Sequence, residues 1–194
     1  FSPDEQSIAL RRRGEGIVVL DLATGKTRHA FHAAELGGFS PDGQSLNLLR
    51  DDATFERRSL VDGGLLEQRR LGVPPGAFTR RLLSPDGRWF VVGHEDGSVV
   101  VESLAESGVI RRLVGHDSMI VALEVSPDGR RLLTGSLDRT ARLWDLEAGT
   151  TLAVFEGHRM AVASGGFSTD GSRLATGSWD DTVRVWDEPG HRAV

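Results

Sequence analysis

Two stretches of the chain have nearly the same sequence and follow each other at a fixed spacing. Residues 115–145 are GHDSMIVALEVSPDGRRLLTGSLDRTARLWD and residues 157–187 are GHRMAVASGGFSTDGSRLATGSWDDTVRVWD, without an insertion in either. From Gly115 to Gly157 the period is 42 residues. Such a period is typical of repeat architectures, in which each unit is one supersecondary element that cannot bury its apolar surface alone. The chain is therefore expected to fold as a series of similar units.

A Ser-Pro-Asp-Gly turn marks five of these units. Ser at the first position, Pro with its φ already set at the second, and Gly at the fourth suit a type I turn. The turn occurs as SPDE at Ser2, as SPDG at Ser40, Ser84 and Ser126, and as STDG at Ser168. The repeat therefore extends through the whole chain.

Short apolar segments on both sides of each turn predict four strands per unit, which we label a to d in chain order. In the fourth unit, strand a covers 120–125, strand b 131–135, strand c lies within 138–144 and strand d covers 152–155. Turn signals recur every ~8–12 residues, which is typical of all-β folds. No segment has a sustained helical period. The sequence therefore predicts an all-β fold of short antiparallel strands.

The Gly-His start, the Trp-Asp end and the period of these units resemble the WD-repeat (WD40) family of β-propellers. This resemblance implies blades that are four-stranded antiparallel sheets. The last two units match the family strongly, whereas the first three are degenerate. Glu102 and Leu20 stand where the third and first units should have Trp, and Pro74 stands where the third should have His. The second unit keeps only the turn and the apolar pattern.

We expect one partial propeller domain over residues 1–194, with three complete blades and two truncated ones. The units are expected at about 1–34, 35–73, 74–115, 116–157 and 158–194. We interpret them as an arc of a larger ring, most simply of seven blades, with a closed five-bladed ring as the alternative. Among the 23 Lys and Arg residues only Lys26 is Lys, which suggests a GC-rich, bacterial genome.

Composition excludes several classes of function. The chain has no Cys, so disulfides, zinc–thiolate sites and cysteine nucleophiles are ruled out. A net charge of −5 does not favour nucleic-acid binding. The sequence shows no signal peptide and no apolar stretch long enough to span a membrane. We therefore expect a cytoplasmic protein that binds neither nucleic acid nor membrane.

Two sets of residues have the side chains of a hydrolase triad, but we interpret them as structural. His116, Ser136 and Asp138 could act as base, nucleophile and orienting group, and the last unit repeats the same three residue types. A set that occurs once per unit, each time followed by a Trp, suits a stabilising network better than an active site. By resemblance to the family, we assign two hydrogen-bonded tetrads running from Trp to Ser to His to Asp. They are His116, Ser136, Asp138 and Trp144 in one unit, and His158, Ser178, Asp180 and Trp186 in the other.

No metal or cofactor site is expected. The six histidines, which lack the spacing of metal ligands, are His29, His32, His94, His116, His158 and His191. The acidic pairs Asp51-Asp52 and Asp180-Asp181 lie at turns and do not form a calcium loop. The sequence contains no Gly-rich phosphate motif and no HExxH.

The positions between the tetrad residues are the better candidates for binding a partner. In the family, the loops between strands d and a and between strands b and c open on one face where peptides dock. The candidate residues on this loop face are Asp117, Met119, Leu137, Arg139, Arg159, Met160, Trp179 and Asp181. Trp179 is the strongest candidate, because aromatic and Arg side chains dominate protein-binding energetics; packing against a neighbouring blade is the alternative. The triplet Arg11–Arg13 is interpreted as a solvated turn, with an anion site as the alternative.

These observations favour a non-catalytic scaffold that holds a protein or peptide ligand. The first alternative is a sensor or regulatory propeller of a larger bacterial enzyme, such as a kinase or protease. The second is part of a propeller hydrolase. Unpaired strand edges also allow self-association. Fold alone does not decide among these functions.

Overall fold

The computed structural model describes residues 1–32, 35–40, 42–50, 52–72, 78–84, 86–106 and 109–187. Over these residues every regular element is a strand, which confirms the all-β prediction. The strands are β1 (Ser7–Arg12), β2 (Gly16–Asp21), β3 (Thr27–Phe31), β4 (Glu35–Phe39), β5 (Ser45–Leu49), β6 (Thr54–Ser59), β7 (Leu65–Arg70), β8 (Phe78–Leu83), β9 (Trp89–His94), β10 (Val99–Ser103), β11 (Ile110–Leu113), β12 (Ile120–Val125), β13 (Arg131–Ser136), β14 (Ala141–Asp145), β15 (Thr150–Phe155), β16 (Val162–Phe167), β17 (Arg173–Ser178) and β18 (Val183–Asp187).

The strands form five sheets in which each strand pairs with its neighbours in sequence. The orders are β1-β2-β3, β4-β5-β6-β7, β8-β9-β10-β11, β12-β13-β14-β15 and β16-β17-β18. The pairing is antiparallel, as short connections require. Three sheets of four strands and two of three confirm the predicted blades, three of them complete. The expected unit boundaries and the number of blades in the ring stay predictions.

The strands belong to two compact units. The first contains the sheets of β1–β3 and β4–β7 together with residues 83–89, and the second contains most of β8–β18. The core of the first is built from residues of both of its sheets, including Ile17, Val19, Phe31, Leu46 and Leu48. In the second, Leu133, Leu143, Phe155, Leu174 and Trp186 join the last two sheets in the same way. In each of these two pairs, neighbouring sheets thus bury apolar surface against each other, as the period predicts.

The Ser-Pro-Asp-Gly segment has the same hydrogen bonds in all five units. In the fourth unit, Ser126 Oγ donates to Asp128 Oδ1 over 2.5 Å, and the N–H of Gly129 donates to Ser126 O over 2.9 Å. The Ser126 hydroxyl also accepts the N–H of Arg131, at the start of strand b, over 2.9 Å. Gly129 has a φ of 69°, which suits glycine. The corresponding Ser–Asp bonds recur at Ser2, Ser40, Ser84 and Ser168. Pro41 and Pro85 lie outside the described residues.

Candidate functional site

The register of β13 against β14 places Trp144 where its indole can reach a buried hydroxyl. Trp144 lies opposite Leu132, so the residue one diagonal step along β13 is Thr134. Trp144 Nε1 donates to Thr134 Oγ1 over 2.9 Å, and the Thr134 hydroxyl lies 2.8 Å from His116 Nε2. His116 Nδ1 lies 2.7 Å from Asp138 Oδ2. Four side chains on two strands and two loops are therefore connected in one chain of hydrogen bonds.

The direction of the protons in this chain follows from its two ends. The indole N–H of Trp144 can only donate, and the ionised carboxylate of Asp138 can only accept. For a neutral imidazole, the tautomer that fits both ends has its proton on Nδ1, which donates to Asp138, while Nε2 accepts from the Thr134 hydroxyl. Every polar atom in the network then has a partner without a second charge, which matters because His116 and Thr134 are fully buried.

The last sheet repeats this network. Trp186 Nε1 donates to Thr176 Oγ1 over 3.0 Å, and Thr176 Oγ1 lies 2.8 Å from His158 Nε2. His158 Nδ1 lies 3.2 Å from Asp180 Oδ2. Trp186 opposes Leu174 in the register of β17 and β18, just as Trp144 opposes Leu132. The same register thus produces the same set of contacts in two repeats.

The prediction that Ser136 and Ser178 supply the hydroxyl group of the tetrads is wrong. Ser136 lies four residues along β13 from Leu132, about 13 Å at 3.3 Å per residue, which is beyond the reach of the indole. Its hydroxyl instead donates to Ser118 O over 2.8 Å, in the loop that precedes β12. Ser178 Oγ likewise donates to Met160 O over 3.1 Å. The serines connect two loops, and the threonines complete the tetrads.

Hydrogen bonds lower the pKa values of both tetrad carboxyl groups. Burial alone would raise the pKa of Asp138, but bonds from His116 and Thr140 outweigh burial and hold the pKa well below 3.8. The pKa of Asp180 is lowered mainly by the hydroxyl of Thr182, and next by the N–H of Arg159. Thr140 and Thr182 occupy the same place in their repeats. The sequence signal for them, as for Thr134 and Thr176, is that each Thr recurs 42 residues later.

The geometry does not produce the Ser-His-Asp arrangement of a hydrolase at these residues. Ser136 contacts a main-chain carbonyl, and the hydroxyl that does contact His116 belongs to Thr134. Thr134 has no exposed surface, so a substrate has no access to its oxygen. A nucleophile needs both a base and an open face. The arrangement is instead suited to holding strands and loops in place.

The same carboxylates fix the two loops that carry the candidate binding residues. Asp138 Oδ2 accepts the N–H of Asp117 over 3.1 Å, and Asp180 Oδ2 accepts that of Arg159 over 2.7 Å. The N–H of Trp179 donates to Ala161 O over 3.0 Å. In each of the last two sheets, the loop before strand a and the turn between strands b and c are therefore joined at one end of the sheet.

All eight candidate residues on these loops are exposed or half-buried. Asp117, Arg139, Arg159, Met160, Trp179 and Asp181 are exposed, whereas Met119 and Leu137 are half-buried. Trp179 has 57% of its surface exposed and Met160 has 49%. Arg139 and Asp181 have φ values of 75° and 63°, so each turn projects its side chains from a tight, left-handed position. The ring of Trp179 and the thioether of Met160 are thus exposed on two loops that hydrogen bonds hold together.

The degenerate sheets have different side chains at the tetrad positions. In the sheet of β4–β7, Arg58 stands where Trp144 stands in the fourth sheet, and it contacts the buried carboxylate of Glu56. Arg50 contacts the same carboxylate. No motif of the intact repeats points to this ionic cluster, so the sequence pattern does not predict it.

The described histidines outside the tetrads, His29, His32 and His94, do not assemble into a metal site. His29 Nε2 lies 2.9 Å from Leu60 O, and His32 is exposed on the chain after β3. His191 and Asp51 lie outside the described residues. Where the structure is described, no group of three or more His, Cys, Asp or Glu residues could hold a metal ion. The described segments also include no helix long and apolar enough to cross a membrane.

Antiparallel sheets of three or four strands repeated along the chain, with a Trp-Thr-His-Asp network in two of them, define a protein of the β-propeller class. The family model of the WD domain, G-beta repeat (WD40), matches residues 79–101, 107–145 and 149–187. These stretches make up just over half of the 194 residues, so the chain belongs to the WD40 repeat family. The first stretch covers most of β8–β10, in a sheet whose Trp position is Glu102.

Proposed function

We propose that this protein is a non-catalytic scaffold that holds a protein or peptide partner on the loop face of its last two sheets. WD40 repeats generally mediate protein–protein interactions. The observation that carries the proposal is the exposure of Trp179, at the tip of a turn whose backbone is held by Asp180 and Ala161. A large apolar side chain on a rigid support loses little conformational entropy when a partner covers it.

The neighbouring residues extend this surface. Met160 is exposed in the loop hydrogen-bonded to the Trp179 turn, and thioethers adapt to partners of irregular shape. Arg159 and Asp181 flank the apolar pair with one charge of each sign. An apolar centre with a charged rim is the usual composition of a protein-binding site. The corresponding positions of the fourth sheet, Leu137 and Arg139, belong to the same proposal.

Trp179 also provides the means to test the proposal. The chain has four Trp residues, and the other three, Trp89, Trp144 and Trp186, are buried. Quenching of tryptophan fluorescence by acrylamide therefore reports mainly on Trp179. Peptides selected by display against the full chain should protect this fluorescence. Trp179→Ala should weaken the selected peptides about 30-fold, the equivalent of ~2 kcal/mol for an interface hot spot.

Leu152→Ala is the matched control, because Leu152 is similarly exposed but lies on β15, outside the loop face. It should leave peptide affinity unchanged. Peptides that bind Trp179→Ala as tightly as the parent protein would remove Trp179 from the site. If the affinity of the peptides fell only for Leu152→Ala, the binding site would instead lie on the edge strand β15.

Self-association through strand edges stays a prediction. β18 has one strand partner in its sheet, and its residue Val183 is 73% exposed. A single monomer peak in sizing chromatography at high concentration would contradict it.

A further inference from the structure

The turns between strands b and c share one residue, an Asp, in four of the five sheets. Four of these turns have an Asp whose Oδ1 accepts the main-chain N–H of the residue two positions later. These Asp residues are Asp52, Asp96, Asp138 and Asp180, and the bond lengths are 3.1, 2.9, 2.8 and 3.0 Å. In the first sheet the corresponding residue is Gly14, which has no side chain. The first turn is therefore the one that lacks this carboxylate.

The first turn also has the opposite charge. It carries Arg11, Arg12 and Arg13, all exposed, and we call residues 11–16 the arginine turn. Arg12 Nη1 lies 3.1 Å from Glu15 Oε2, and about half of each side chain is exposed to water. Arg11 and Arg13 have no ion pair among the described residues. Two guanidinium groups at this turn are thus available to an external anion.

The shape of the arginine turn leaves its outer side open. Its three arginines, two glycines and His32 line a depression of about 460 Å³. Gly14 and Gly16 have φ values of 85° and 84°, and no atom lies within 4 Å of the place where a Cβ on Gly14 would stand. Because side chains are absent there, a ligand can approach the main chain between the guanidinium groups.

We propose that the arginine turn binds an acidic segment of a partner protein, whose carboxylates meet Arg11 and Arg13. In the other four turns, an Asp carboxylate of the chain itself stands at the position of Gly14. Guanidinium groups bind carboxylates with two parallel hydrogen bonds. The open depression suits an extended peptide segment rather than one enclosed ion. This interaction is separate from the loop face of the last two sheets and does not depend on Trp179.

The proposal predicts binding that is strongly sensitive to salt. All three guanidinium groups are exposed, so their attraction for a carboxylate is screened within about 8 Å at physiological ionic strength. Side chains that are already solvated also gain little from one contact, and affinity must come from several carboxylates at once. An acidic segment with consecutive Glu residues satisfies both conditions.

The test uses the full chain and a fluorescein-labelled hexaglutamate peptide, with binding followed by fluorescence anisotropy at low salt. Arg11→Ala combined with Arg13→Ala should weaken binding about tenfold, since two charge contacts are lost. The matched control is Arg70→Ala combined with Arg130→Ala, which removes two exposed arginines elsewhere and should change affinity less than about twofold. Glu15→Gln should tighten binding about twofold to threefold, because it frees Arg12.

Three results would overturn the proposal. One is an equal loss of affinity in the arginine-turn double variant and the control double variant, which would mean that the peptide responds only to net charge. Another is weaker binding in Glu15→Gln. The third is displacement of the peptide by millimolar inorganic phosphate but not by sodium chloride of the same ionic strength, which would make the turn a phosphate site instead. Trp179→Ala should bind hexaglutamate like the parent protein, so failure here leaves the loop-face proposal standing.

Discussion

The sheet of β12–β15 and the sheet of β4–β7 have the same strand order and the same Ser-Pro-Asp-Gly turn, yet they hold strand c by different chemistry. In β12–β15, the indole of Trp144 is tied to Asp138 through the neutral groups of Thr134 and His116. In β4–β7, Arg58 takes the place of the Trp, and its Nη2 lies 2.8 Å from Glu56 Oε2.

Each sheet thus has one carboxylate that is shielded from most of the solvent, with 11% of the Asp138 side chain exposed, and satisfies it differently. Neutral donors hold Asp138, whereas the guanidinium groups of Arg50 and Arg58 hold Glu56, whose side chain is 2% exposed. Burial alone would raise the pKa of Glu56, but the hydrogen bonds from the two arginines outweigh it and lower the pKa. The difference teaches that each of these two sheets keeps a carboxylate whose hydrogen bonds are satisfied, and that the donors can change from neutral groups to guanidinium groups.

The largest effect is expected from removing the tetrad hydroxyl. Thr134→Val keeps the β-branched shape but leaves the Trp144 N–H and His116 Nε2 without partners in a buried site. Each unsatisfied group costs about 1–3 kcal/mol, so the free energy of unfolding should fall by about 3 kcal/mol. Urea denaturation followed by circular dichroism measures it.

Ser136→Ala is the control for this experiment. It removes one hydrogen bond to Ser118 O and should lower the free energy of unfolding by about 1 kcal/mol. If Ser136→Ala destabilised the protein more than Thr134→Val, the serine rather than the threonine would be the essential hydroxyl.

The ionic sheet is tested by Glu56→Gln. The variant removes the charge that pairs with Arg50 and Arg58, which are 37% and 22% exposed and can recover part of their hydration. We therefore expect a loss of about 2 kcal/mol, below the range for a fully buried pair. Glu56→Leu combined with Arg58→Leu should restore most of it, because an apolar pair can replace an ionic one. A double variant less stable than Glu56→Gln would contradict this explanation.

The parts of the fold that depend on local chemistry could be predicted from the sequence. Each Ser-Pro-Asp-Gly turn forms its bonds within six residues, so five turns predict five sheets wherever the turn sequence occurs. The bracketing apolar segments then place the strands. This explains why even the degenerate sheet of β4–β7 was predicted.

The choice between Thr134 and Ser136 could not be made in this way. Both residues lie on the same face of β13, and which of them meets Trp144 depends on the register across two strands. The Glu56 cluster was missed for a related reason: a charged residue in a strand looks solvated until its partners are known. The partner-binding residues around Trp179 stay a prediction, since exposure alone does not identify a ligand.

Low pH should reveal how much Asp138 contributes to the free energy of unfolding. The pKa of Asp138 is lowered in the folded protein, so its contribution to stability is present above the unfolded value of 3.8 and is lost as pH falls through the folded pKa. Asp138→Asn should remove more than about 1 kcal/mol of the stability change between roughly pH 6 and pH 2. Denaturant titrations at several pH values measure it.

Thr140→Val sharpens this test. Its hydroxyl donates to Asp138 Oδ1 over 2.7 Å, so its removal should raise the pKa of Asp138 and move the acid loss to higher pH. Glu56→Gln should remove a different part of the acid loss, because the pKa of Glu56 is itself lowered in the folded protein, and Thr140→Val should still shift the remaining part. An acid profile unchanged by Asp138→Asn would assign the loss to other carboxyl groups.

The smallest effect is expected at a second carboxylate of the ionic sheet. Glu67 Oε2 lies 3.1 Å from Arg57 Nη1, but the two side chains are 34% and 35% exposed. Water screens this pair, so Glu67→Gln should change the free energy of unfolding by less than about 0.5 kcal/mol, and 1 M salt should remove the change. Glu56 and Glu67 are carboxylates of neighbouring strands, β6 and β7, and both contact arginine. If the two Gln variants were equally destabilised, burial would not be what distinguishes the two carboxylates, and their arginine contacts alone would have to explain the loss.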